Sequence, residues 1–120
     1  MVIGVGIDLV EIARIKRAME RNPRFDYRIL TDAERAYCRT AYQVAGRWAA
    51  KEAVAKAVGL NLSWQQVEVL PDELGVPTAR VHSAEFDPAR LRLKISITHE
   101  RTHAAAVAIL ERVVLHKPIY

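Results

Sequence analysis

Near the end of this 120-residue chain stands His99-Glu100-Arg101-Thr102-His103, the H-E-x-x-H spacing. On a helix that spacing puts two imidazoles on one face to hold zinc, with the glutamate as general base, the arrangement of a metalloprotease. A second group lies in "AGRWAAKEAVAKAVG", where Trp48, Glu52 and Lys56 recur every fourth residue and share one helical face. A carboxylate beside an ammonium among alanine methyls is either an ordinary i,i+4 ion pair, worth about 0.3 to 0.5 kcal/mol, or part of a site. The third is Asp8, which follows two side-chain-free positions, Gly4 and Gly6, on one side of an alternating segment. A bare strand face lets another backbone or a ligand approach closely. As structure alone, Asp8 would cap the helix that follows it.

The elements that must position these groups are legible in outline. "VIGVGIDLV" alternates, with Ile3, Val5, Ile7 and Leu9 on one face, and predicts a strand. From Glu11 to about Arg21 the apolar residues Ile12, Ile15 and Met19 recur at helical spacing until Asn22-Pro23. "LTDAERAY" offers a capping box, Thr31 with Glu34 three residues on, and so a second helix. A long alanine-rich helix is expected from about Tyr42 to Val58, with Gly59 as its stop. "WQQVEVL" and "TARVHSA" read as short strands joined by the turn "PDELGVP", and "RLKISIT" as a stronger strand; "HAAAVAILERVVL" fits strand or helix.

That layout weakens the zinc interpretation, since "RLKISIT" leads into His99 as a strand. The longer H-E-x-x-H-x-x-G-x-x-H form also fails, because Ala106 and Ile109 stand at its last two fixed positions and leave Glu111 as the remaining third ligand.

Half of the residues are hydrophobic (51%), so the length suits one folded domain over residues 1–120 rather than a disordered chain. No apolar run approaches bilayer length and the N-terminus lacks a signal-peptide pattern, so a cytoplasmic location without a membrane partner is expected. The single cysteine, Cys38, excludes an internal disulfide and fits a buried small hydrophobe.

A net charge of +4 and a pI near 9.5 suggest an anionic partner. Six basic residues crowd into "RIKRAMERNPRFDYR", among them Arg14, Arg17 and Arg21 as a stripe on one helix. That stripe is either a solvated face or a surface for an acidic protein. No aromatic or glycine-rich RNA-binding signature, zinc finger or recognition helix accompanies it, which argues against nucleic acid.

Three stretches, in chain order, carry a resemblance. "IGVGIDLVEIARI", "AGRWAAKEAVAKAVG" and "ISITHERTHAAAVAI" resemble the signature blocks of the holo-acyl-carrier-protein synthases, the small 4′-phosphopantetheinyl transferases. "RFDYRILTDAE" is similar to that family's F-x-x-R-x-L-T-x-x-E segment, and "DELGVPTARV" to its G-x-P turn before a strand. Together these blocks cover nearly the whole chain.

The resemblance implies an α+β fold of the 4′-phosphopantetheinyl transferase type, a curved antiparallel sheet packed on a long helix. It implies a Mg²⁺-dependent transfer of phosphopantetheine from coenzyme A to a serine of apo acyl carrier protein, releasing adenosine 3′,5′-bisphosphate, within fatty acid and lipid metabolism. It makes Asp8 and Glu52 the metal carboxylates, a donor type that Mg²⁺ prefers. Glu52 and Lys56 become catalytic, Lys56 as a second positive charge on the phosphate and Glu52 or a water on the metal as acceptor of the serine proton. Arg47, Lys51, Lys56, Pro77 and His99 are implied to hold coenzyme A, and Arg14 and Arg24, with Ile15, Met19 and Phe25 as apolar neighbours, to grip the acidic carrier. It further implies a homotrimer with sites between subunits.

The chain departs from the family in three places. "AVGLNLSWQQ" lacks the glycine-rich extension after the lysine helix, and the link between "LTDAE" and "AGRW" is brief. Asp8-Leu9-Val10 stands where larger relatives carry D-x-E, so water has to complete the coordination. A non-catalytic basic module that binds an acidic protein, and the zinc protease, are the competing expectations.

Overall fold

A computed structural model describes residues 1–114. Strand β1 (Val2–Glu11) runs into helix α1 (Ile12–Arg21), followed by two short helices, α2 (Phe25–Ile29) and α3 (Asp32–Tyr37), and the long α4 (Ala41–Val58). A 3-10 turn (Trp64–Gln66) leads to β2 (Val67–Pro71) and β3 (Pro77–Val81), followed by β4 (Leu91–His99) and β5 (His103–Arg112). All strand pairs are antiparallel, β1-β5-β4 in one sheet and β2-β3 in a hairpin, which is the α+β class expected. The ambiguous segment "HAAAVAILERVVL" is thus a strand as far as Arg112, its last residue, Leu115, lying outside the described residues.

Helix α4 begins at Thr40, whose hydroxyl accepts from Gln43 N at 3.3 Å in a capping box, and stops where Gly59 adopts φ 74°. Only glycine enters that left-handed conformation without strain. A row of alanines at every fourth position, Ala45, Ala49, Ala53 and Ala57, is buried along α4. Facing it are Gly4 and Gly6 of β1 and Ala104, Ala106 and Ala108 of β5. Small residues on both sides let the helix lie against the sheet almost backbone to backbone. A Cβ on Gly6 would meet the Ala53 carbonyl oxygen at 1.9 Å, and one on Gly4 the Ala57 carbonyl oxygen at 2.0 Å. The bare strand face therefore accommodates another backbone.

Gly6→Val should accordingly cost about 3 kcal/mol or more, because the obstacle is a helix backbone that cannot rotate away. The drop in melting temperature should be roughly 10 °C or more by circular dichroism. A melting temperature within a couple of degrees of the parent would mean the helix is not seated this closely.

The opposite face of β1 carries its large apolar side chains, and these point outward: Val5 is 61%, Ile7 67% and Leu9 66% exposed. The core is built instead from α1, α2, α4, β2 and the inner face of β5, with Ile15, Ile29, Leu30, Val44, Val54, Val67 and Val69 as its largest buried aliphatic side chains.

Candidate active site

Helix α4 crosses the sheet diagonally: Gly46 near its start touches Ile97 of β4, while Ala53 and Ala57 near its end rest on β1. Two polar clusters result, one on each side of the helix.

On the β1 side, Lys56 donates to the Ile7 carbonyl oxygen at 2.9 Å and to Asp8 Oδ1 at 3.3 Å. The expected i,i+4 pair of Lys56 with Glu52 gives way to this one, since the strand backbone offers the ammonium a carbonyl and a carboxylate together. Asp8 does not cap α1, whose N-cap is Glu11, without a side-chain cap bond. The Asp8 side chain is mostly covered whereas Lys56 is open to solvent. Gly4 lies against Ala57 and Gly6 against Ala53, so two strand residues match one helical turn. The same progression brings Asp8 level with the turn from Ala49 to Glu52. Glu52 precedes Lys56 by four residues on the same side of α4, as the spacing predicts.

On the other side, a cavity of about 290 Å³ is lined by Tyr37, Tyr42, Arg47, Pro77, Ile97 and His99, among others. The β2–β3 turn delivers Pro77: Asp72 accepts from Leu74 N and Val76 N, both at 2.9 Å, and Gly75 takes φ 83°. His99 ends β4 with its ring edge-on to Tyr42 at 5.9 Å. Arg47 is only 8% exposed, its guanidinium lies 4.7 Å over the Tyr37 ring, and its Nε has no hydrogen-bond partner. A buried cation that borders a cavity and meets no protein carboxylate among the described residues is suited to an anionic ligand.

Lys51 does not join either cluster. Its ammonium is wholly buried and donates to the Ile29 carbonyl at 2.7 Å, Glu34 Oε1 at 2.6 Å and the Trp64 carbonyl at 2.9 Å. Three donors with three acceptors leave nothing for a phosphate, so the expected role of Lys51 on coenzyme A is corrected to a structural one. Burial pushes the Lys51 pKa down, and the hydrogen bond it donates to Glu34 works against that. Glu34, which also closes the capping box at Thr31 N and accepts from Val69 N at 2.7 Å, is the partner that residue patterns did not reveal. The capping box itself signalled Glu34, but not the lysine that meets it from seventeen residues away.

Similar solved structures and curated sequences agree on one family. The family described as the 4′-phosphopantetheinyl transferase superfamily matches residues 4–108. The chain belongs to that superfamily. A holo-[acyl-carrier-protein] synthase from an Exiguobacterium strain is 44% identical to this transferase, the alignment covering 92% of this chain and 93% of the relative. The crystal structure of a holo-(acyl-carrier-protein) synthase from Bacillus anthracis in complex with CoA (3′,5′-ADP) superposes with a TM-score of 0.79 at 33% identity, over 92% of this chain and 96% of the other. The Helicobacter pylori holo-[acyl-carrier-protein] synthase in complex with coenzyme A gives a TM-score of 0.81 at 31% identity, over 89% and 99%. The fold of the transferase is therefore that of the synthases.

The remaining sequence expectations sort themselves on the transferase surface. Arg14, Arg17, Arg21 and Arg24 are exposed, as a partner surface requires. Ile15 is 2% exposed and belongs to the core, so its expected place at the carrier surface is corrected: it faces the core, not solvent. Met19 and Phe25 are partly buried, Phe25 by stacking on Trp48 at a centroid distance of 6.0 Å, and Trp48 in turn on Trp64 at 4.4 Å. Cys38 is half-buried against the core, and burial is the main cause that raises its pKa, which keeps the thiol protonated and inert.

The H-E-x-x-H pentapeptide is the β4–β5 hairpin. His99 ends one strand and His103 begins the next, with Glu100 N donating to the His103 carbonyl at 2.9 Å. Glu100 is a turn carboxylate: it accepts from the Thr102 hydroxyl and, at 3.1 Å each, from Thr102 N and His103 N. The Thr102 hydroxyl is the first cause holding its pKa below the usual range. No helix carries the two imidazoles, and the zinc-protease geometry is not formed.

Proposed function

We propose that this chain transfers the 4′-phosphopantetheine group of coenzyme A to a serine of apo acyl carrier protein, releasing adenosine 3′,5′-bisphosphate, in the cytoplasm and in the service of fatty acid synthesis. The observation that carries the proposal is the contact of Lys56 with Asp8, which unites the N-terminal and central signature blocks at one point, a helical turn after Glu52.

Asp8 and Glu52 would hold Mg²⁺. Among the described residues no three His, Cys, Asp or Glu side chains converge, so an all-protein cage is not on offer. Two carboxylates completed by phosphate oxygens and water are a donor set that this ion accepts. When bound, the ion neutralises charge on the coenzyme's pyrophosphate. Lys56 adds a second positive charge at the transferring phosphate, Arg47 binds a phosphate group in the cavity with His99 and Pro77 around it, and Glu52 takes the proton of the attacking serine.

The two clusters cannot serve one coenzyme molecule within one chain. Arg47 and Lys56 are nine residues apart on α4, two and a half turns, hence on opposite sides of the helix and about 13 Å apart along it. Asp8 and His99 lie on strands separated by β5. A homotrimer joins the clusters if each subunit lends its Arg47 cavity to a neighbour's Asp8 edge. The outward apolar row Val5, Ile7 and Leu9 supports this assembly, being a face that a lone chain would leave in water.

Incubation with coenzyme A, Mg²⁺ and an apo carrier protein, followed by mass spectrometry of the carrier, tests the proposal. A carrier that gains phosphopantetheine is the expected result; an unmodified carrier across several divalent metals would refute it. The non-catalytic alternative predicts carrier binding without any mass gain. Arg14→Glu with Arg24→Glu should raise KM for the carrier about tenfold, near 0.7 kcal/mol for each exposed charge. The deficit should widen at low ionic strength and shrink in high salt, as steering by exposed charge requires.

A further inference from the structure

Helices α3 and α4 are joined by two side-chain rungs one turn apart. Glu34 of α3 meets Lys51 of α4 in the buried ion pair, and Tyr37, one turn on from Glu34, lies under the guanidinium of Arg47, one turn before Lys51. The first rung has no access to a ligand, because both charged groups are buried and fully hydrogen-bonded. The second borders the cavity that also receives Pro77 and His99.

We infer that Tyr37 is a positioning residue for the coenzyme: stacked on Arg47 and locked in register by the Glu34–Lys51 pair, its ring holds the guanidinium edge-first toward the cavity. This rests on the proposed function, in which that cavity receives a phosphate of coenzyme A. An arginine side chain carries about 2 kcal/mol of rotamer entropy, so one already immobilised binds an anion at lower cost than one that must be ordered on contact. The unpartnered Nε shows that no protein acceptor fixes the guanidinium from that edge. Its orientation is set by a ring, which attracts a cation without occupying its N–H groups. A carboxylate in that position would hold Arg47 too, but would neutralise the charge the phosphate needs.

A double-mutant cycle on the full-length protein, read by calorimetric binding of coenzyme A and by steady-state kinetics, tests this. Tyr37→Leu should weaken coenzyme A binding about fivefold, the scale of a cation–π contact whose ring is partly exposed, raising KM for coenzyme A with kcat unaltered. Tyr37→Phe, which keeps the ring, should recover most of the loss. Arg47→Met should weaken binding about a hundredfold, and Tyr37→Leu added to it should weaken binding no further, because the tyrosine acts through the arginine. Equal penalties from Tyr37→Leu with and without Arg47 would overturn the inference while leaving the function standing. A parent protein that binds no coenzyme A would overturn both.

Discussion

Asp8→Ala should reduce phosphopantetheine transfer about a thousandfold or more while leaving the fold intact. The size follows from losing one of the two carboxylates proposed to hold the metal, where preorganised charge stabilisation contributes most to the rate. The structural cost is small for a separable reason. Asp8 is held by a single ion pair to an exposed lysine, and pairs of that kind contribute at most about 1 kcal/mol. Glu52→Gln should behave alike, and Lys56→Met should lose less, since the lysine adds a charge without organising the others. Activity titrated with Mg²⁺ and Mn²⁺, beside melting curves, reads both effects. Activity within tenfold of the parent at saturating metal would remove Asp8 from the site. Because Lys56 contacts Asp8 Oδ1 directly, the ammonium has to share or yield that oxygen as the ion binds. Replacing the lysine should therefore tighten apparent metal affinity even as it slows turnover.

Lys51→Met should be the most damaging single change to stability, by about 3 to 5 kcal/mol, the usual consequence of removing one partner from a buried ion pair. The substitution strands the fully buried Glu34 carboxylate and leaves the Ile29 and Trp64 carbonyl oxygens without their donor. Five elements lose their junction together: the end of α2, the cap of α3, the middle of α4, the 3-10 turn and the middle of β2. Adding Glu34→Gln should restore part of the loss, because a neutral amide oxygen can still accept from Thr31 N or Val69 N without an unpaired charge. The midpoints of urea unfolding for the parent and the two variants check the order. A Lys51→Met protein as stable as its parent would mean the pair is not buried in solution. The double variant falling below the single one would place the main cost in the backbone groups rather than the charge.

Several features of the fold and site were open to inspection in the residues themselves. The capping box at Thr31 and the stop at Gly59 are local devices, determined by a few neighbouring atoms, and those helix ends follow from them. Gly4 and Gly6 announced a close approach because side-chain-free positions on one strand face have few other uses. Glu52 and Lys56 share a helix side by periodicity alone. The pentapeptide at His99 was decided by the strand pattern before it, which outweighs a five-residue motif that no helix supports.

Other assignments depended on what arrives from far along the chain. Lys51 and Lys56 stand on one helix in similar alanine-rich surroundings, yet one is buried against Glu34 and the other reaches across to Asp8. Ile15 and Met19 belong to the same periodic stripe, but Ile15 is fully buried and Met19 only partly. The alternation in β1 defines two faces without saying which one turns inward, and here the larger apolar side chains point out.

By itself, then, the chain determined its elements, their ends and the chemical types of the site residues, because those depend on spacing and on interactions within a turn or two. Only the tertiary structure decided which lysine meets which acid, and that α4 divides the site residues between its two sides. Such pairings join residues tens of positions apart, and their energies depend on burial and distance, which exist only once the helix has settled on the sheet.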